Sequence, residues 1–305
     1  MSSSYEYLPY EIPNAEVLIT VKTYPLPSNK YGELVCTAGF LHDGKWIRIY
    51  PVPFLDLPYE KQYSKYQWIT LDLVKNTDDF RPESYRPRKG AEYIQIGKQI
   101  NTDNYWEERK KYAFKETFSS MKDVIVLSRD KPHKSLATLK PLNIVDFVIE
   151  EQEDREWPPQ WRDHMLQAKL FQTDTHDGKR RQPPKKLPYK YYYKFRTQGD
   201  KEPRQLMIED WEIGRLYWRM LAECQGDERA ANQKVQQKYF YEFCSPKHDL
   251  YFFLGTTQEY QRRRANNPFI IVGLFYPLNP DDHQKNKNQK KRRVDSVQAS
   301  QLELF

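Results

Sequence analysis

Apolar and polar residues alternate with a period of two over 15–26, AEVLITVKTYPL, where Val17, Ile19 and Val21 fall on one side and Leu18, Thr20 and Lys22 on the other. That period predicts a strand. Residues 33–50 predict a hairpin: ELVCTAGFL runs into His42-Asp43-Gly44 and returns as KWIRIY. Asp-Gly between two apolar runs is the strongest short hairpin signal. In the return strand Ile47 and Ile49 face the core, which leaves Trp46, Arg48 and Tyr50 as an aromatic and basic face. That face reads either as cross-strand packing with a cation–π contact or as a nucleic-acid surface. Further strands are expected at 66–74, with Ile69, Leu71 and Leu73 inward, and at 91–97, 122–128 and 143–149. A helix capped by Asp103 is expected over 105–119, and the polar, proline-bearing stretch 75–92 predicts a long loop. Residues 1–149 therefore read as a β-rich domain, a small barrel or curled sheet.

The pattern changes at 150–188. Five acids (Glu150, Glu151, Glu153, Asp154, Glu156) come first, a short helix is expected at 160–170, and a basic, proline-bearing run follows, so this segment reads as a linker. Alternation returns at 189–196, YKYYYKFR: Tyr189, Tyr191, Tyr193 and Phe195 share the face toward a core, and Lys190, Tyr192, Lys194 and Arg196 share the other. Glu209 and Asp210 open a helix that runs to about Cys224 and is broken by Gly226; Asp227 starts a second, to about Phe243, with Ala231, Val235, Tyr239 and Phe243 at four-residue spacing. Apolar runs at 249–257 and 267–277 read as buried strands. Residues 189–277 thus predict a ββααββ domain with an antiparallel sheet, and the fold class is α+β. Residues 278–305 carry no apolar period over 278–300 and are expected to form a disordered basic tail.

Charge sharpens this picture. The chain of 305 residues has a net charge of +7, yet the window 179–196 alone holds eight basic residues and no acid, leaving the rest at −1. The excess is one local patch, suited to phosphate. The acidic cluster at 150–156 reads as a solvated face that can shield this patch when no nucleic acid is bound. Apolar residues are sparse, at 38 %, but 23 tyrosines add buried surface whose hydroxyls need partners. The three cysteines, Cys36, Cys224 and Cys244, show neither disulfide-framework nor zinc spacing, no stretch approaches a membrane span, and the N-terminus lacks a secretory signal. A cytoplasmic protein without a membrane partner is expected.

The residues Gln301-Leu302-Glu303-Leu304-Phe305 place three large apolar side chains after a polar, basic stretch. The pentapeptide resembles the Gln-Leu-x-Leu-Phe motif by which bacterial polymerases, repair proteins and some mobile-element proteins dock on the DNA polymerase sliding clamp. Gln301, Leu302, Leu304 and Phe305 match it, and Glu303 takes the tolerant middle position. The resemblance covers five residues and implies a partner, not a fold or a reaction. Burying the three apolar side chains in a groove gains about 1.5–3 kcal/mol each. Ordering the peptide offsets much of that, so the expected affinity is roughly micromolar. Linkage to a second, DNA-holding site makes a tether of that strength effective.

Motifs for enzymatic chemistry are scarce. The sequence holds no Gly-rich phosphate loop, no Gly-x-Ser-x-Gly and no His-Glu-x-x-His, and no cofactor is expected. Glu209 and Asp210, with Glu212, are either helix-capping acids or the carboxylates of a metal-dependent nuclease. His248, before a buried strand, is either a satisfied loop histidine or a general acid–base group. The leading expectation is a bacterial DNA-associated accessory protein in replication, repair, a mobile element or phage defence. Its clamp contacts would be Gln301, Leu302, Leu304 and Phe305, and its phosphate contacts Lys185, Lys186, Lys190, Lys194, Arg196, Arg262, Arg263 and Arg264, helped by Lys290–Arg293. The alternatives are a clamp-tethered nuclease or other DNA-processing enzyme and an RNA-binding module.

Overall fold

A computed structural model describes residues 8–28, 32–159, 161 and 185–279. The expected tail 278–305, with its pentapeptide, lies outside the described residues from 280 on, as does the short helix expected at 160–170 save Trp161. In chain order the first strands are β1 (Glu11–Lys22), β2 (Leu26–Ser28), β3 (Gly32–Leu34), β4 (Thr37–Phe40), β5 (Trp46–Ile49), β6 (Gln67–Lys75), β7 (Ser84–Pro87) and β8 (Gln95–Gln99). Strands pair in the ring β1–β4–β5–β7–β6, and β6 returns to β1, so five strands close a small barrel; β8 extends β6 where β7 leaves it. Val17, Ile19, Ile47, Ile49, Ile69, Leu71, Leu73 and Tyr85 fill its interior. Gly44 takes φ +83° in the Asp43-Gly44 turn, a conformation glycine adopts without a steric penalty.

After the barrel come α1 (Asp103–Ala113), β9 (Thr117–Phe118), α2 (Met121–Arg129), β10 (Leu136–Leu139), β11 (Asn143–Glu151), β12 (Tyr189–Arg196), β13 (Arg204–Met207), α3 (Trp211–Glu223), α4 (Glu228–Gln236, continued by a π turn to Glu242), β14 (Tyr251–Thr256), α5 (Gln258–Arg262) and β15 (Phe269–Phe275). The fold is α+β, as expected. The strands of the second half divide between two sheets, however: β15–β14–β10–β9 and β11–β12–β13, joined by a single parallel bridge from Ile208 to Ile271.

The hairpin β14–β15 is the middle layer. On one side Phe253, Ile270, Val272 and Phe275 meet Leu18, Val21, Ala38, Phe40 and Trp46 on the outside of the barrel. On the other, Phe252, Leu254, Ile271 and Leu274 meet Tyr191, Tyr193 and Phe195 of β12, Ile213 and Tyr217 of α3, and Ala231 and Val235 of α4. Phe253 contacts Trp46 edge to face at 5.2 Å, and Phe252 stacks on Tyr193 at 5.3 Å. Buried polar residues reinforce the barrel seam. The Glu83 carboxylate accepts from the Ser135 backbone N–H (2.7 Å) and Oγ (3.0 Å), and Arg81, paired with Asp79, donates to the Thr256 carbonyl at 2.8 Å. Several tyrosine hydroxyls find partners: Tyr191 donates to Asn232 Oδ1 at 2.8 Å and Tyr85 to the Pro9 carbonyl at 2.6 Å, whereas the buried hydroxyls of Tyr66 and Tyr217 have no hydrogen-bond partner among the described residues.

Three local expectations are corrected and one open alternative is decided. The loop at 75–92 contains β7, whose buried Ser84 and Tyr85 close the barrel. Residues 122–128 form helix α2 rather than a strand, because Ser120 caps it through the Asp123 N–H and Met121, Val124, Ile125 and Ser128 bury one helical face. Asp103 is the first residue of α1 rather than its cap, and the helix stops at Ala113. Trp46 and Arg48 are buried under β10 and β14, so that face is an internal seam and not a nucleic-acid surface.

Phe253→Ala removes a ring from the seam and is expected to cost about 3–5 kcal/mol. Urea unfolding followed by far-UV circular dichroism and by tryptophan fluorescence should give coincident transitions that shift together in the variant; separate transitions would show that barrel and second half hold independently.

Candidate functional site

The strand β12 has the expected two faces. Tyr191, Tyr193 and Phe195 are buried, Lys190 is exposed, and Lys194 and Arg196 are half-buried. Its neighbour changes the electrostatics. Lys190 lies opposite Glu150 and Lys194 opposite Asp146 in the antiparallel register with β11. Opposite charges at facing positions attract, so part of the basic row is compensated within the sheet itself. Glu151 of the acidic segment is instead engaged by Arg155, which bridges it (2.6 Å) to Glu228 (2.8 Å). Arg262, Arg263 and Arg264 form a separate group. Arg263 pairs with Glu259 at 2.7 Å, while Arg262 and Arg264 line a pocket of ≈ 200 Å³ with Arg129, His133 and Phe80.

The weak catalytic candidates have structural work. His248 Nδ1 contacts the Tyr276 carbonyl at 3.0 Å, and its ring packs against Phe243. The Glu209 backbone N–H donates to the Ile271 carbonyl, and burial pushes its carboxyl above the usual range. Asp210 is fully buried and caps α3 by accepting from the Glu212 N–H at 3.2 Å. Lys65 donates to both Asp210 oxygens at 2.8 Å and to Glu212 at 3.1 Å. Burial opposes the Lys65 charge, but the two carboxylates outweigh it and hold the ammonium above its ordinary range. Among the described residues no group of three His, Cys, Asp or Glu side chains could hold a metal ion.

This ion pair anchors a cluster that spacing did not reveal. Capping by Asp210 aims the first turn of α3 at the end of β1. There Trp211, with Phe54 and Tyr63, encloses the Lys22 ammonium at 5.3, 4.4 and 5.8 Å to the ring centroids. One turn on, Gly214 has no side chain because the Tyr24 ring occupies that space; an added Cβ would lie 2.3 Å from it. Tyr24 donates to the Lys185 carbonyl at 2.7 Å and accepts from Trp218 Nε1 at 2.9 Å, and the Lys185 ammonium sits 5.2 Å from the Trp218 ring. Arg215, exposed, falls between the two indoles at i+4 from Trp211. Lys22, Tyr24, Lys185, Trp211, Arg215 and Trp218 therefore form a strip of cations interleaved with rings. Such a strip can pair phosphates and stack bases.

Sequence reasoning found Lys185 and missed Lys22, Tyr24, Lys65 and Arg215. The spacing of Trp211, Arg215 and Trp218 on one helix was a usable signal. For Lys65, in a polar run far from Asp210, there was none. Lys186 stands beside Trp157, 5.8 Å from its ring.

The fold is that of an α+β protein with a small barrel fused to a layered second half. Residues 116–298, more than half of the chain, match the family described as a domain of unknown function, DUF8757, and the chain belongs to that family. Residues 13–115 match a second domain of unknown function, DUF8758. No curated protein matches the chain. No helix among the described residues is long and apolar enough to cross a membrane.

Removing one partner of a buried ion pair leaves the other uncompensated, at about 3–5 kcal/mol. Lys65→Met should therefore lower stability in urea by that amount, and Lys65→Met with Asp210→Asn by no more than the single change. Additive losses would contradict a coupled pair.

Proposed function

We propose that this chain is a DNA-associated accessory protein, tethered to the replicative sliding clamp through Gln301, Leu302, Leu304 and Phe305. The observation that carries the reading is the pentapeptide itself, whose apolar positions end a polar, basic stretch without an apolar period. An isolated Leu-x-Leu-Phe gains by burial only in a groove on a partner. Support for the nucleic-acid half comes from the cation–ring strip of Lys22, Lys185, Trp211, Arg215 and Trp218. The basic face of β12 is a secondary contact, because Asp146 and Glu150 face it. The tail's Lys290, Lys291, Arg292 and Arg293 add phosphate contacts.

The nuclease alternative is disfavoured by the occupation of both Asp210 oxygens by Lys65. A metal-dependent nuclease needs its carboxylates free to hold the ion.

Retention on immobilised purified clamp is expected for the full chain, with roughly micromolar affinity, and is expected to vanish on removing 301–305. Equal retention of both would overturn the clamp assignment. Single-stranded DNA binding should weaken steeply between low and physiological salt. Trp218→Ala should cost about 1–3 kcal/mol of that binding. Salt-insensitive binding, or stronger binding of a competing RNA, would overturn the DNA assignment.

A further inference from the structure

Lys22 stands apart within the strip. Its ammonium donates one hydrogen bond, to the Tyr63 carbonyl at 3.0 Å, and among the described residues it has no ion pair. Asp210 and Glu212, the carboxylates that face it, are engaged by Lys65. Phe54, Tyr63 and Trp211 wall it on three sides, and the side chain is partly exposed. The charged groups around it are Lys65 from the barrel and Asp210, Glu212 and Arg215 from the start of α3. Burial lowers its pKa most and Lys65 lowers it further. Glu212 and Asp210 pull it back up and Arg215 works against them, which leaves it at about 8. A desolvated lysine beside a second cation is the arrangement that makes an amine nucleophilic at neutral pH.

We propose that Lys22 is a nucleophilic amine that captures an aldehyde as a Schiff base, and that the aldehyde is the ring-opened sugar of an abasic site in DNA. The aldehyde chemistry follows from the amine and its surroundings; the DNA source rests on the function proposed above. A nucleotide without a base leaves room in the stack where Trp211 and Phe54 wall the amine. The exposed Arg215 and Lys185, the latter 5.2 Å from the Trp218 ring, are the cations of the strip that could take flanking phosphates. In the reaction the neutral Lys22 nitrogen attacks the carbonyl carbon and forms a C–N bond, giving a carbinolamine. The carbonyl oxygen then leaves as water, carrying the two protons lost by nitrogen, and a C=N bond remains. No oxidant or reductant enters.

The test incubates the full chain with a single-stranded oligonucleotide bearing one abasic site, in the presence of cyanoborohydride, which reduces the imine to a stable amine. Peptide mass spectrometry then locates the adduct. The adduct is expected at Lys22, absent with an intact oligonucleotide, and lost in Lys22→Arg, whose fold is checked by its thermal midpoint. A parallel arm uses glyceraldehyde with the same reductant. At pH 7 Lys22 is expected to be labelled roughly tenfold faster than the exposed Lys98, and its rate to rise to about pH 8 and then level off, while ordinary lysines gain up to about pH 10. Equal labelling of Lys22 and Lys98 overturns the reactive amine. Glyceraldehyde labelling at Lys22 without an oligonucleotide adduct overturns the abasic-site assignment, provided a mobility shift shows the oligonucleotide bound. No mobility shift with either oligonucleotide overturns the DNA source together with the function proposed above, and the glyceraldehyde arm then decides the amine alone.

Discussion

The structure depends on one hairpin being buried on both faces. β14 and β15 give Phe253, Ile270, Val272 and Phe275 to the barrel and Phe252, Leu254, Ile271 and Leu274 to the second half. A strand that reads as continuous apolar residues fits only such a middle layer. Burial of a whole side chain is worth about 1.5–3 kcal/mol, so eight large side chains outweigh any single polar contact in the seam. This layer also fixes where everything else stands. It brings the end of β1 against the start of α3, residues nearly two hundred apart in the chain, and so assembles Lys22, Tyr24, Trp211 and Trp218.

Electrostatics then decides which of the positively charged residues are free to act. Lys65 is sequestered by Asp210 and Glu212, Arg81 by Asp79, and the β12 lysines face Glu150 and Asp146. Lys185 instead sits against the Trp218 ring, and Arg215 is exposed on α3. A ring stabilises a cation without neutralising it, which leaves the charge available to phosphate. The same burial that makes Lys65 a structural bolt, with two carboxylates, makes Lys22 a reactive amine without them. Position relative to Asp210 separates the two roles.

Local patterns were readable and long-range cover was not. The Asp43-Gly44 turn, the alternation of 189–196 and the Asp210 and Asp227 starts of the two helices follow from spacing and capping alone. Spacing left Trp46 and Arg48 open between packing and a surface because β14, which covers Trp46, lies two hundred residues further on. The run KDVIVL at 122–127 has strong strand character, yet the Ser120 cap and tertiary burial of Met121, Val124 and Ile125 make it a helix. The short strands β7 and β10 offered too few residues for a period to show. Net basic charge singled out the segment 185–196, but could not show that Lys190 and Lys194 face Glu150 and Asp146 within their own sheet.

We propose the seam beside α3 as the nucleic-acid surface. Ultraviolet crosslinking of the full chain to a single-stranded oligonucleotide, with adducts mapped by mass spectrometry, tests it directly. Crosslinks at Tyr24, Trp211 and Trp218 are the predicted result. Crosslinks confined to Tyr192 on the outer face of β12, or to Phe80 beside Arg262 and Arg264, would contradict it.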